Sequence, residues 1–224
     1  VLAGGGLVVG LGTVHRCLSS AVLGGGLGLV RTWVDLQVPH DYARTDPEAH
    51  LAEAAAWLAG PVVGMLTAAP VDRFQQASCG AADAVATVGI GHALAAAATR
   101  PRPVPHPAGP AAGTINLLVV VGDPLDDAGL AGALQTAVEA KTQALAAARV
   151  PAANADGYAT GTATDAVCVA CPPGARSRFA GPATRTGADL ARAVYHAVLA
   201  GAVAGLATGA GQPPGAAHPT RKAD

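Results

Sequence analysis

A chain of 224 residues with a formal net charge of −1 is long enough for one domain with a full core. It gives no electrostatic footing for nucleic acid or an anionic membrane surface, because its few basic residues are scattered. Hydrophobic residues make up 51% of the chain but aromatics only 3%, so the core must be built from closely packed small side chains, mostly Ala and Val. The four cysteines, Cys17, Cys79, Cys168 and Cys171, are too few and too irregular for a secreted disulfide framework. They fit reduced thiols in a cytoplasmic protein.

The first residues, Val1 to Gly6, carry neither a basic n-region nor a cleavage site, so they do not read as a signal peptide. They also lack an initiator Met, which suggests an incomplete N-terminus. Leu7 to Leu29 is expected to hold one or two strands around the turn Gly24-Gly25-Gly26, and a helix is expected from Pro47 to Leu58. The β-rich runs Pro61–Thr67 and Ala84–Ile90 follow, then a proline-rich loop from Arg100 to Pro110 and the strongest strand, Thr114–Val121. A helix capped by Asp126 or Asp127 should run to about Ala148, with Leu130, Leu134, Val138 and Leu145 as its apolar stripe. Asp165–Cys171 reads as the last strand. The last helix is expected to start at Thr186, where Thr186-Gly187-Ala188-Asp189 resembles a capping box. Its buried face would be Leu190, Val194 and Val198, and its polar face Arg185, Asp189, Arg192 and His196. The apolar stretch Ala193–Ala210 approaches membrane-span length, but Tyr195, His196 and several glycines make a buried helix the better reading. The order of elements predicts an α+β fold, a single domain over residues 1–208 with layered sheet and helices. Residues 209–224, rich in Pro, Gly and charge, are expected to form a disordered tail.

Four segments could carry chemistry. In Thr160-Gly161-Thr162-Ala163-Thr164-Asp165 the three threonines alternate, so in an extended chain their hydroxyls would share one face. Gly161 would allow close approach of a ligand, and Asp165 could serve as a base. The plainer reading is a Thr-rich strand entry with Asp165 fixing a turn. In Glu139-Ala140-Lys141-Thr142, Lys141 lies on or beside the apolar stripe, where a charge needs a partner such as Asp165; otherwise its stem packs while its head reaches water. Thr114 and Asn116 share one side of a strand, as a functional pair or a satisfied edge pair. In Leu18-Ser19-Ser20 to Gly24-Gly25-Gly26, consecutive glycines offer backbone N–H groups to an oxyanion, amide or phosphate. No metal site is expected, since Cys168 and Cys171 lie three apart in a strand and face opposite sides. Of the scattered histidines, His92 after Gly89-Ile90-Gly91 is the best candidate to line a pocket.

Taken together, these segments resemble the adenosylcobinamide amidohydrolase family of cobamide salvage. The resemblance rests on Leu18–Gly28, Val38–Tyr42, Gly64–Ala68, Ala86–Gly91, Gly113–Asn116, Glu139–Leu145, Ala159–Pro172 and Gly181–Thr184, in that order. It covers about Leu7 to Leu206. The sequence departs from the family pattern in Trp33–Gln37, which lacks an expected Asn, and at His92, where many relatives would carry Asn. The resemblance implies hydrolysis of the amide joining the aminopropanol arm to a corrin propionate, giving adenosylcobyric acid and 1-amino-2-propanol. It implies no cofactor, the cobalt belonging to the corrinoid substrate. Nucleic acid and membrane are not expected partners, and a homo-oligomer stays open. The alternatives are a non-catalytic corrinoid-binding protein, or an amidohydrolase of another small molecule. Amide hydrolysis needs an activated attacker, an oxyanion site and a proton for the departing amine. The expected catalytic group is Asp165 or Glu139 as base, with Lys141, Thr162 and Thr164. The expected substrate-binding residues are Ser19, Ser20, Gly25, Gly26, Thr67, His92, Thr114, Asn116 and Gly161, among which Gly25, Gly26 and Asn116 would meet an oxyanion or peripheral amides.

Overall fold

In the computed structural model, which describes residues 5–98, 113–174 and 177–209, two long strands open the chain. They are β1 (Gly6–Ser19) and β2 (Gly26–Gln37), paired antiparallel with a register shift between Gly10 and His15. The elements that follow are α1 (Pro47–Ala55), β3 (Val62–Thr67), β4 (Gln75–Cys79), β5 (Ala82–Val88) and the two-residue β6 (Ala93–Leu94). After these come β7 (Ile115–Val121), α2 (Asp127–Ala147), the two-residue β8 (Gly161–Thr162), β9 (Ala166–Cys171) and α3 (Arg185–Ala207). Seven strands form one mixed sheet in the order β3-β2-β1-β9-β7-β5-β4, while β6 and β8 pair separately. The parallel pairs β2–β3 and β7–β9 are each bridged by a helix, α1 and α2 respectively. This is the expected α+β architecture.

The sequence reading placed β3, β7 and β9 to within one residue at their starts and β5 two residues late, and it ended the first hairpin too early. Leu7–Leu29 holds two strands, and β2 continues to Gln37 through Trp33-Val34-Asp35-Leu36. Strand β4 was not anticipated, because Gln75-Gln76-Ala77-Ser78-Cys79 has no apolar run; it is recruited by pairing with β5. Helix α1 stops at Ala55 rather than Leu58. The Arg100–Pro110 segment, and the expected tail beyond Gly209, lie outside the described residues.

Both long helices owe their starts to side-chain caps. Asp126 accepts a hydrogen bond from Gly129 N (2.8 Å) at the head of α2. The cap of α3 is Thr184, whose Oγ1 accepts from Gly187 N (3.0 Å), so the expected box at Thr186 is displaced by two residues. Thr186 instead donates to Asp123. The packed face of α2 also differs from the expected stripe. Leu130 and Leu145 are buried, but Val138 is exposed, and Ala133, Ala137, Ala140 and Ala144 make the contact. Small residues at these positions let α2 and α3 approach closely; Ala193, Ala197 and Ala202 of α3 are buried in the same cluster, while Gly201 packs against Val88 of β5 and Gln75 of β4. In α3, Leu190, Val194 and Val198 are buried as expected, but Asp189 is buried too. Its carboxylate sits against Gly80 and accepts from Ala81 N (3.4 Å) in the β4–β5 turn, so it does not belong to the solvent face. Among the described residues α3 is the one helix long and apolar enough to cross a membrane, and here it packs on β4, β5 and α2.

The two faces of the sheet follow from period-two alternation. On the outer face Ala84, Ala86, Leu117, Val119, Val167, Val169 and Cys171 meet α2 and α3. Val34 and Leu36 of the same face meet Leu51 of α1. The inner face carries Cys17, Trp33, Met65, Val85, Leu118, Cys168 and Ala170 in one cluster. Trp33 and Val85 come from strands far apart in the sheet order, so the sheet must curl until β2 and β3 face β5 and β7. Cys168 and Cys171 fall in different clusters, on opposite faces, as their spacing predicts.

Candidate active site

The alternation that buries Trp33, Met65, Val85 and Leu118 on the inner face also puts Asp35, Thr67, Thr87 and Asn116 there, two residues later along β2, β3 and β5 and two residues earlier along β7. These polar residues gather at one end of the curl, and all four are buried. Asp35 is 0% exposed. Its Oδ1 accepts from Asn116 Nδ2 (2.7 Å) and its Oδ2 from Thr87 Oγ1 (2.6 Å). Asn116 Nδ2 also donates to the Leu66 carbonyl (2.9 Å). Burial pushes the Asp35 carboxyl up from the ordinary carboxylate range to about 6, against the opposing pull of the hydrogen bonds from Thr87 and Asn116.

A cleft of about 310 Å³ opens at this polar end. Its apolar wall includes Val22, Val38, Met65 and Leu66, and its polar groups come from His40, Tyr42, Thr67, His92, Thr114, Asn116 and Thr164. His40 and Tyr42 lie in the connection after β2, where Tyr42 Oη and His50 Nδ1 are 2.9 Å apart. The Thr114 and Thr164 hydroxyls are 2.6 Å apart, so the pair uses one hydroxyl hydrogen internally and keeps one to donate. Two buried polar atoms of cleft residues have no hydrogen-bond partner among the described residues: His92 Nε2 and Asn116 Oδ1. A third such atom, Trp33 Nε1, belongs to a residue that does not line the cleft.

Beside the cleft, across the turn that carries Ala163, lies a shallower depression. Lys141, Gly161, Thr162 and Asp165 line it. Lys141, buried on the packed side of α2, forms an ion pair with Asp165 Oδ2, the partnership the sequence suggested. The same carboxylate accepts from Thr162 N (3.1 Å), Thr162 Oγ1 (2.5 Å) and Ile115 N (3.0 Å). Asp165 thereby ties α2, the turn after β8 and the first residue of β7 together. Gly161 has no room for a side chain, since a Cβ there would collide with Asp165 Oδ2 and lie 2.7 Å from Lys141 Nζ.

Of the residues singled out from sequence, Thr67, His92, Thr114, Asn116 and Thr164 meet in the cleft. The three threonines of Thr160–Asp165 do not share a face, because β8 ends at Thr162 and the chain turns. Thr160 Oγ1 accepts from Ala96 N (2.9 Å), Thr162 bonds Asp165, and Thr164 reaches the cleft. Glu139 is exposed on α2, bonded by Gln135 Nε2 (2.9 Å), and lines neither cavity. Ser19 Oγ accepts from Ala21 N (3.0 Å) and Ser20 Oγ from Val167 N (3.0 Å), so both hold the end of β1 in place. Gly25 and Gly26 also stand apart from the cleft lining. A Cβ on Gly25 would strike the Ala21 carbonyl, and Gly26 has φ +88°, so both are required by the β1–β2 connection itself. Sequence reasoning missed Asp35, Thr87, His40 and Tyr42. The available signal was Asp35, a lone carboxylate inside the apolar run Trp33-Val34-Asp35-Leu36.

Residues 4–209 match the family model described as adenosylcobinamide amidohydrolase. The chain belongs to that family. An adenosylcobinamide amidohydrolase of Halobacterium salinarum is 32% identical over 194 residues, covering 83% of this chain and 79% of the relative. The family match spans every strand and helix described, including both walls of the cleft.

Proposed function

We propose that this family member hydrolyses the amide between the aminopropanol arm and the corrin propionate of adenosylcobinamide, releasing adenosylcobyric acid and 1-amino-2-propanol. The observation that carries the reading is a mostly apolar cleft with two buried, unpartnered polar atoms, His92 Nε2 and Asn116 Oδ1. Buried polar atoms without partners cost stability, and a ligand that pairs with them recovers it. At about 310 Å³ the cleft suits an amide arm, with the macrocycle resting outside.

His92 takes the acid–base role in this reading, a role particular to this chain, since the Asn expected at this position in many relatives cannot exchange a proton. Its Nε2 accepts the proton of an attacking water and returns it to the departing amine. The spare hydroxyl hydrogen of the Thr114–Thr164 pair donates to the developing oxyanion. Asp165 and Lys141, the sequence's candidates for base and charge stabiliser, act at one remove. Four donors already occupy the Asp165 carboxylate, so it holds the turn that presents Thr164. Glu139, exposed and outside the cleft, has no part in the chemistry.

Incubation with adenosylcobinamide, followed by mass spectrometry, tests the reaction. Adenosylcobyric acid and free aminopropanol support hydrolysis, and a folded His92→Gln protein should lose at least ~100-fold in kcat. A shifted corrin absorption spectrum without product would make the protein a corrinoid binder instead. Product from His92→Gln at the wild-type rate would remove His92 from the acid–base role.

A further inference from the structure

The Asn116 amide has one end committed and one end free. Both hydrogens of Nδ2 are used, one on Asp35 Oδ1 (2.7 Å) and one on the Leu66 carbonyl (2.9 Å). A carboxylate and a backbone carbonyl are obligate acceptors, so neither contact survives if the side-chain amide turns over. What remains is Oδ1, buried, unpartnered, and able only to accept. Of the two expected partners for Asn116, an oxyanion or an amide, this leaves the amide, because an oxyanion needs donors and Asn116 has none to spare.

We infer that Asp35 is a positioning residue that sets the direction of the Asn116 amide, so that the cleft wall offers an acceptor, Asn116 Oδ1, to an N–H donor of the substrate. The donor of matching chemistry is the N–H of a secondary carboxamide, and in the proposed reaction that is the scissile amide itself. The inference rests on the amide reading of the cleft above. Asp35 is itself held on its other oxygen by Thr87 Oγ1 (2.6 Å), so β2, β5 and β7 jointly determine where the acceptor lies. An acceptor on the amide N–H orients the bond while the carbonyl oxygen faces the Thr114–Thr164 hydroxyls. It also selects against esters and tertiary amides, which have no N–H to give and would leave Oδ1 buried and unpaired.

The test does not depend on turnover. Binding of N-(2-hydroxypropyl)propanamide, a mimic of the arm, is compared with that of its N-methyl derivative by ligand-observed NMR. Wild-type protein is expected to prefer the secondary amide by about 10-fold or more, the cost of one unmet buried hydrogen bond. Asp35→Asn, whose side-chain amide can donate to Asn116 and so release its orientation, is expected to lose most of that preference while keeping wild-type circular dichroism. With adenosylcobinamide the same variant should raise KM more than it lowers kcat. Equal binding of the two probes by wild-type protein, or no binding of either, overturns the inference, as does an Asp35→Asn protein that keeps the full preference. Should Asp35→Asn not fold, the wild-type comparison decides alone. Discrimination between the probes without hydrolysis of adenosylcobinamide would uphold the acceptor assignment and reject the reaction.

Discussion

Asp35 makes the stability of the fold depend on pH in a calculable way. Its carboxyl has an ordinary value of 3.8 and is raised to about 6 by burial between β2, β5 and β7. The folded protein therefore holds this proton more tightly than the unfolded chain does. The stabilisation is fully present below pH 3.8, declines as pH rises, and is gone once pH passes about 6. The gap between the two values corresponds to ~3 kcal/mol at 1.36 kcal/mol per pH unit. Asp35→Asn removes the titration and leaves a neutral group of the same shape. Urea denaturation of both proteins at intervals from pH 4 to 7.5 isolates the effect, because every other group titrates in both. The stability of the variant relative to wild type should rise by ~2.4 kcal/mol across that range, or about 5–10 °C in relative Tm for a chain of this size. A difference between the two proteins that stays flat within about 0.5 kcal/mol, well inside the range of a routine surface change, would refute the claim that Asp35 ionises in a buried site.

Lys141→Met should destabilise the protein by about 3 kcal/mol in urea titration, because it leaves the Asp165 carboxylate, only 11% exposed, without its counter-charge. A loss below about 1 kcal/mol would mean that the three remaining N–H and O–H donors suffice. Gly161→Ala, whose Cβ would intrude on the same ion pair, should cost about 2 kcal/mol in the same titration and lower kcat by displacing Thr164. Thr184→Ala removes the cap of α3 and should lower stability by about 1 kcal/mol in a thermal melt, whereas Thr186→Ala should leave that cap intact.

Sequence alone determined whatever depends on local pattern. Alternating or continuous apolar runs marked β3, β5, β7 and β9, an aspartate cap with helical spacing marked α2, and helical spacing marked α3. The order of short motifs identified the family. Thr114 and Asn116 were visible as a polar pair at the start of an apolar strand, Thr164 in a Thr-rich strand entry, His92 after Gly89-Ile90-Gly91, and Thr67 through a motif shared with the family. The tie between Lys141 and Asp165 was legible for a similar reason: a lysine on a buried stripe must find a carboxylate. Tertiary structure decided what depends on how the sheet curls. Asp35 and Thr87 lie 52 positions apart in the chain, and no local pattern relates them. They meet because β2 folds across to face β5, and only that juxtaposition turns a lone buried aspartate into the residue that orients Asn116. The turn after β8 also separated the Thr160–Asp165 segment into two roles. Asp165 closes onto Lys141 and the backbone of β7, and Thr164 alone is carried into the cleft, because the chain turns after Thr162 where an extended strand would have kept all three hydroxyls together.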